Sequence, residues 1–251
     1  MSDLAEPIPA ATLVLMRERP DAAPELLMME RSRSMAFAAG ALVFPGGRIE
    51  PGDHEAAAAL PALPDAAARI AAIRETVEET GIAAGLDPTP DAATAAALRE
   101  GLAGGAPFAT LLAAAGLRFD LAALTPFARW CPNFRETRRF DTLFFLAEAP
   151  PGAAPATADA AESVRTFWAS AAEVLGDVDA GRAHVIFPTR RNLERLARFA
   201  SIAEARADAA RHKVRKITPW VEERGGRAFV CIPDDAGYPV TAEPLETARR
   251  R

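Results

Sequence analysis

The chain has 251 residues, of which 50% are hydrophobic and 25% charged, a balance that excludes a disordered or fibrous protein. Its net charge of −5 argues against a general nucleic-acid grip, because neutralising phosphates needs a surplus of Lys and Arg. Cys131 and Cys231 lack CxxC spacing, so we expect no disulfides. The N-terminal residues do not resemble an export signal, and no run of about 18 apolar residues occurs. We therefore expect a cytoplasmic protein that binds neither nucleic acids nor membranes.

The N-terminal part of the chain predicts a hairpin and a third strand. Apolar runs at 11–16 and 25–29 flank a polar segment with prolines, which predicts two strands joined by a long loop. A further apolar run at 41–44 leads into Gly46 and Gly47, where the backbone can adopt angles closed to other residues. We therefore expect the third strand to end in a glycine loop.

A well-bounded helix follows this loop after an unusual interval. Asp65 stands at a favourable N-cap position, and Gly81 stands where helices often end in the left-handed conformation. The alanine- and proline-rich residues 54–64 before the helix predict a surface excursion with at most one helical turn. Residues 88–117, rich in alanine and broken by glycines, predict an inserted pair of short helices.

The second half of the chain predicts strands interrupted by helices. Ser170 and Glu173 form a capping-box pattern for a short helix, and the apolar spacing after Thr189 predicts one long helix to about Arg211. Strands are predicted at about residues 121–130, 142–147, 164–168, 213–221 and 227–232. This order lacks regular βα alternation, so we expect a single α/β domain over 1–251 with a mixed sheet, rather than a doubly wound fold.

Three glutamates on the central helix suggest the chemistry. Glu75, Glu78 and Glu79 stand at i, i+3 and i+4, so their carboxylates project from one face and repel one another. A divalent cation with a preference for oxygen ligands, Mg²⁺ or Mn²⁺, would relieve this repulsion and could hold substrate phosphates. The alternative is a solvated acidic face in which Arg74 and Glu78 form an i, i+4 pair.

The sequences GGRIEPGD and RETVEETGI together resemble the Nudix box, whose pattern is G, five residues, E, seven residues, then REUxEExGU, with U a bulky aliphatic residue. Thr76 stands where the first aliphatic residue is expected, and Asp53 stands where the first glutamate is expected. Twenty residues rather than seven separate Asp53 from Arg74, so the box is split by 20 − 7 = 13 extra residues.

The resemblance extends beyond the box, through the residues before it and through segments at 127–150 and 187–200. These resemble the coenzyme A diphosphatase branch of the Nudix superfamily, which includes a mammalian peroxisomal enzyme and bacterial relatives. The resemblance implies an α/β/α sandwich with a mixed sheet and helical insertions. It also implies hydrolysis of a diphosphate linked to another chemical group.

The resemblance assigns roles residue by residue. Glu75, Glu78, Glu79 and Asp53 are the implied metal ligands, and Glu75 is alternatively the base. Arg74 would orient a carboxylate, while Gly46 and Gly47 would shape the loop around metal and phosphates. A further catalytic acid is expected from a late loop, for which Glu162 is the candidate, with Glu136 and Asp141 as alternatives. Substrate phosphates would be bound by Arg31, Arg33, Arg138 and Arg139.

Three functions stay open at this point. The first is a Mg²⁺- or Mn²⁺-dependent diphosphatase acting on coenzyme A or acyl-coenzyme A. The second is the same chemistry on ADP-ribose, NADH or a dinucleotide. The third is a Nudix-fold binding or regulatory module that has lost catalysis. The sequence also leaves open whether the predicted C-terminal helix packs on its own sheet or in a homodimer.

Overall fold

A mixed β-sheet with helices on both faces organises the chain, as seen in a computed structural model that describes residues 6–32, 38–132, 139–151 and 163–250. The strands are β1 (Ile8–Arg19), β2 (Ala22–Arg31), β3 (Leu42–Val43), β4 (Gly46–Arg48), β5 (Leu86–Asp87), β6 (Arg118–Phe119), β7 (Thr125–Trp130), β8 (Phe140–Glu148), β9 (Ser163–Ser170), β10 (Lys216–Ile217), β11 (Trp220–Arg224), β12 (Arg227–Cys231) and β13 (Ala242–Pro244). The helices are α1 (Pro51–Ala58), α2 (Ala66–Thr80), α3 (Ala92–Ala103), α4 (Phe108–Ala114), α5 (Ala171–Asp179), α6 (Phe187–Leu196), α7 (Ile202–Arg211) and α8 (Leu245–Arg250).

The main sheet has the strand order β10-β7-β8-β1-β2-β3, with β4 also pairing β1 and β9 also pairing β2. β1 and β8 are parallel, as are β7 and β10, whereas the other pairs in this sheet are antiparallel. Strands β11 to β13 form a second, antiparallel sheet. The predicted mixed sheet is therefore confirmed.

The central strand β1 is buried on both faces, which explains its nearly continuous apolar sequence. Leu13 packs in a cluster with Ile73 of α2, whereas its neighbour Val14 packs in a second cluster with Leu193 of α6. Because successive side chains of a strand point to opposite faces, the two clusters lie on opposite sides of the sheet. The predicted α/β/α sandwich is confirmed by this arrangement.

The N-terminal hairpin is tighter than predicted. β1 and β2 extend almost to one another, and Arg19 pairs with Ala22 across the turn. Asp21 occupies the turn with a φ of 57°, a left-handed conformation that aspartate tolerates better than most residues. The prediction of a long loop was wrong, because the polar residues before Pro20 continue the strand at its exposed end.

The single long helix predicted after Thr189 is instead two helices. α6 ends at Leu196, and α7 begins after Ser201, whose Oγ accepts a hydrogen bond from the Glu204 backbone N–H at 3.2 Å. Apolar residues recur at helical spacing on both sides of this break, so the sequence pattern predicted one helix across both segments. The predicted strand at 213–221 is likewise divided, into β10 and β11, with Pro219 between them.

The two insertions form helices around the central helix α2. Residues 51–58 form α1, which is longer than the single turn that was expected. The predicted pair of helices within 88–117 is confirmed as α3 and α4, and the short β5–β6 ladder closes this insertion. None of the helices in the described ranges is long and apolar enough to cross a membrane.

Candidate active site

Helix α2 presents the three glutamates near its C-terminal end. The helix ends as predicted at Gly81, which has a φ of 74° and donates its N–H to the Val77 carbonyl at 2.9 Å. It also begins as predicted, directly after Asp65, but Asp65 adopts a left-handed conformation and its side chain makes no capping hydrogen bond. Glu75 therefore lies one turn before the end, with Glu78 and Glu79 in the last turn.

The glycine pair, which was predicted to form a loop, instead begins strand β4 and pairs with β1, and it lies directly against these glutamates. We keep the name glycine loop for Gly46 and Gly47. The Gly46 N–H donates a hydrogen bond to Glu79 Oε2 at 2.8 Å. A β-carbon at Gly47 would lie 2.3 Å from Glu75 Oε1, a distance that no side chain tolerates. The two separated parts of the box therefore meet in space, and glycine at position 47 is needed for the carboxylate of Glu75 to occupy its place.

Arg74 connects the acidic side chains of the two parts. Its Nε and Nη2 donate to Asp53 Oδ1 and Oδ2, both at 3.0 Å. Its Nη1 donates to Glu75 Oε1 at 3.0 Å and to Glu78 Oε2 at 3.2 Å. A further hydrogen bond runs from Nη2 to the Arg48 carbonyl at 3.0 Å. One planar guanidinium thus fixes carboxylates from two helices and the backbone beside the glycine loop.

Asp53 faces this guanidinium with both of its oxygens. Its side chain is 2% exposed, and Oδ2 also accepts the Glu50 N–H at 2.8 Å. The aspartate is the third residue of α1, so the helix formed by the insertion carries it to Arg74. This geometry favours orientation of Arg74 as the function of Asp53.

The charges in this cluster influence one another strongly. Burial lowers the pKa of Arg74, but the hydrogen bonds to Asp53 and the nearby carboxylates raise it more, so the guanidinium stays charged. Burial raises the pKa of Glu78 above its usual value, and the attraction of Arg74 offsets only part of this effect. Burial therefore favours the protonated form of Glu78 more than the neighbouring Arg74 favours the ionised form.

The donor chemistry suits a hard divalent cation. Within the described residues, no group of three or more His, Cys, Asp or Glu side chains is arranged so that it could hold a metal ion. Glu75 and Glu78 accept hydrogen bonds from Arg74, and Glu79 accepts one from the Gly46 N–H, so the three carboxylates lie beside Arg74 and the glycine loop. Carboxylate oxygens are the ligands that Mg²⁺ and Mn²⁺ prefer, so the donor type of these three side chains suits such an ion.

Thr76, the departure from the box pattern inside the helix, is accommodated in the core. The residue is fully buried, and its hydroxyl donates to the Ala72 carbonyl at 2.7 Å. The β-branched side chain thus fills an apolar position while its polar atom is satisfied by its own helix.

Of the remaining predicted site residues, some lie within the described ranges and others do not. Glu162, Arg33 and Arg138, together with the alternative Glu136, lie outside the described residues. The other alternative, Asp141, accepts two hydrogen bonds from Arg129, at 2.7 and 2.9 Å. Among the described residues, the buried Nε atoms of Arg31 and Arg139 have no hydrogen-bond partner, although Nη2 of Arg139 contacts Cys131 Sγ at 3.4 Å.

One residue at the site was missed from the sequence. Arg99 on the inserted helix α3 donates from Nε to the Glu78 carbonyl at 2.9 Å and from Nη2 to the Glu79 carbonyl at 3.4 Å. A lone arginine in an alanine-rich segment carries no sequence signal for this contact, because the contact depends on how α3 packs against α2.

The chain is similar in sequence to a known protein. The human acyl-coenzyme A diphosphatase NUDT19 is 28% identical over an alignment of 235 residues, which covers 71% of this chain and 62% of the human protein. The chain therefore spans less than two thirds of this curated relative. No family model matches the chain.

Solved structures also resemble it. The crystal structure of a Nudix hydrolase from Alicyclobacillus acidocaldarius has a TM-score of 0.71 and 28% identity, covering 80% of this chain and 96% of that one. A MutT protein from Methanosarcina mazei has a TM-score of 0.44 and 18% identity, covering 78% and 97%. The divided box and its closed geometry agree with the similarity to the Alicyclobacillus and human proteins, and the chain has the Nudix hydrolase fold.

Proposed function

We propose that the protein is a divalent-metal-dependent diphosphatase that cleaves nucleoside diphosphate derivatives, with coenzyme A or acyl-coenzyme A as the substrate. The observation that carries the proposal is the closure of the glycine loop on the glutamates of α2, with Gly46 bonded to Glu79 and Gly47 against Glu75. This contact makes one site from two segments that the sequence separates.

The residues of the site have distinct roles in this proposal. Glu75, Glu78 and Glu79 would hold Mg²⁺ or Mn²⁺, which when bound neutralises diphosphate charge and makes a coordinated water more acidic. Arg74 holds Glu75 and Glu78 in place, and we assign Asp53 the role of holding Arg74 rather than that of a metal ligand. The proton of the attacking water would be accepted by the predicted Glu162, or by Glu75 if Glu75 is the base rather than the third ligand.

The choice of substrate is supported by similarity and by charge. The human relative is named an acyl-coenzyme A diphosphatase, at 28% identity. Coenzyme A carries a 3′-phosphate beyond its diphosphate, and a substrate with this extra charge requires additional cations. We assign this function to the predicted arginines at positions 31, 33, 138 and 139, of which Arg31 has a buried guanidinium nitrogen without a partner among the described residues.

A substrate panel tests the proposal directly. The purified protein is incubated with Mg²⁺ or Mn²⁺ and with coenzyme A, an acyl-coenzyme A, ADP-ribose, NADH or a diadenosine compound, and the products are identified by mass. We expect coenzyme A to yield 3′,5′-ADP and phosphopantetheine. Faster cleavage of ADP-ribose, NADH or the dinucleotide would show the same chemistry with a different substrate. The absence of turnover with either metal would indicate a binding or regulatory module instead.

Two variants link any activity to this site. Glu79→Gln removes the charge of a buried carboxylate at the glycine loop, whereas Glu100→Gln makes the same change on the exposed surface of α3. The first variant should lose activity and the second should retain it. Equal activity in both would refute the assignment of the site.

A further inference from the structure

The contact between Arg99 and helix α2 joins an insertion to the residues proposed to bind metal. Arg99 lies on α3, within the predicted insertion at 88–117, and its guanidinium donates to the backbone carbonyls of Glu78 and Glu79. These carbonyls belong to the same two residues whose side chains lie in the last turn of the glutamate helix. The insertion thus contacts the proposed metal-binding residues through their backbone carbonyls.

The last carbonyls of a helix lack partners within the helix, so the end of a helix frays unless other groups bind them. In α2, the Thr80 hydroxyl donates to the Thr76 carbonyl at 2.6 Å, and Gly81 donates its N–H to the Val77 carbonyl at 2.9 Å. The next two carbonyls, of residues 78 and 79, are the ones that Arg99 binds. Arg99 therefore supplies hydrogen-bond donors to the two carbonyls that follow those bound by residues of α2 and Gly81.

Charge and packing both support this role. The C-terminal end of a helix carries partial negative charge, which favours a cation there. Leu98 and Leu102 of α3 are buried in the same apolar cluster as Val77 of α2, so the helix that carries Arg99 is fixed against its partner. The guanidinium is thus held at a defined position relative to the last turn.

We propose that Arg99 is a positioning residue for the metal site: by binding the last carbonyls of α2, it holds Glu78 and Glu79 in the arrangement that a divalent cation requires. This inference rests on the proposed function, because it concerns the same carboxylates. It adds that the insertion after the box contributes to metal affinity, although none of its side chains would be a ligand.

Three substitutions separate the components of this contact. Arg99→Ala removes the whole side chain, Arg99→Met keeps an unbranched apolar stem without donors, and Arg99→Lys keeps the charge and one donor group. Arg118→Ala is the matched control, because Arg118 directly follows the same insertion and is exposed, with an ion pair only to Asp87 among the described residues.

Two measurements are made on each variant without substrate. Hydrogen exchange reports the protection of the amides at the end of α2 in the metal-free protein, and Mn²⁺ titration followed by electron paramagnetic resonance reports metal affinity. Residues that support metal ligands from outside the coordination shell typically contribute about 10- to 100-fold in affinity. We expect a loss of about 10-fold or more in Arg99→Ala and Arg99→Met, faster exchange at residues 79–82, partial recovery in Arg99→Lys and no change in Arg118→Ala.

The two proposals fail in different ways. If the unmodified protein binds no Mn²⁺ and cleaves nothing, the proposed function fails, while hydrogen exchange still decides whether Arg99 holds the helix end. If the unmodified protein binds Mn²⁺ and the Ala and Met variants bind it equally well, the positioning role is wrong. Loss of folding in all three variants would also overturn it, because Arg99 would then be a general structural residue.

Discussion

The pairing of Asp53 with Arg74 leads to a prediction that separates a structural role from metal ligation. Asp53→Ala removes both oxygens that receive the guanidinium of Arg74, together with the acceptor for the Glu50 N–H. Because Arg74 is only 7% exposed, it cannot replace these contacts with water. The metal-free protein should therefore become less stable.

The magnitude follows from the contacts that remain. Removing one partner of a buried ion pair typically costs about 3 to 5 kcal/mol. Arg74 would still contact Glu75, Glu78 and the Arg48 carbonyl, so we expect the lower end, about 3 kcal/mol. For a chain of this size, that loss corresponds to a fall in melting temperature of about 6 to 12 °C.

The assay is urea unfolding of the metal-free protein in EDTA, followed by tryptophan fluorescence. Glu55→Ala is the control, because Glu55 is an exposed carboxylate on the same helix as Asp53 and should change stability little. Asp53→Asn keeps the shape of the side chain and one acceptor oxygen, so its stability should lie between those of Asp53→Ala and Glu55→Ala. If Asp53→Ala lost Mn²⁺ binding while the metal-free protein kept its full stability, Asp53 would be a ligand and our reasoning would be refuted.

Three further predictions concern single residues. Gly47→Ala should lower turnover at least about 100-fold, because the new β-carbon would displace Glu75. Gly52→Ala is the control in the kinetic assay, because a β-carbon at Gly52 would meet nothing within 4 Å. Equal rates in the two variants would contradict the contact between the glycine loop and Glu75. Glu79→Gln should abolish Mn²⁺ binding at the site while the protein stays folded by circular dichroism, and unchanged binding would remove Glu79 from the ligand set. Burial raises the pKa of Tyr238 to about 12, so the free energy of unfolding should fall by up to about 3 kcal/mol as the pH rises from 10 to 12. Since this is the one tyrosine in the chain, its ultraviolet absorbance gives the pKa directly. A pKa near 10 would contradict the prediction.

Features set by short-range chemistry could be predicted from the sequence. The end of α2 at Gly81 and the capping box of Ser170 with Glu173 both depend on residues within one turn of each other, and both are confirmed. The glutamate face of α2 follows from helical spacing alone. Most β-strands of the main sheet were located by their apolar runs, although β1 and β2 are longer than the runs that indicated them and the glycines of β4 were predicted as a loop.

Features that depend on distant contacts could not be predicted in this way. Periodicity joined α6 and α7 because the break at Ser201 rests on a single capping residue within a continuous helical pattern. The contact of Arg99 with α2 spans 21 residues to Glu78 and requires the packing of an inserted helix. Composition and spacing along the chain contain no information about which backbone carbonyls an arginine will reach.

The position of the first insertion has a physical reason that the sequence alone did not reveal. Asp53 and Arg74 must meet at 3.0 Å, and the glycine loop must meet Glu75 and Glu79 in the same place. Extra residues between Asp53 and the start of α2 leave all of these contacts intact, because the ion pair fixes the two ends of the excursion. Extra residues between Gly47 and Asp53 would instead separate the loop from the carboxylate that orients Arg74. The box can therefore be divided after Asp53 and still form one site.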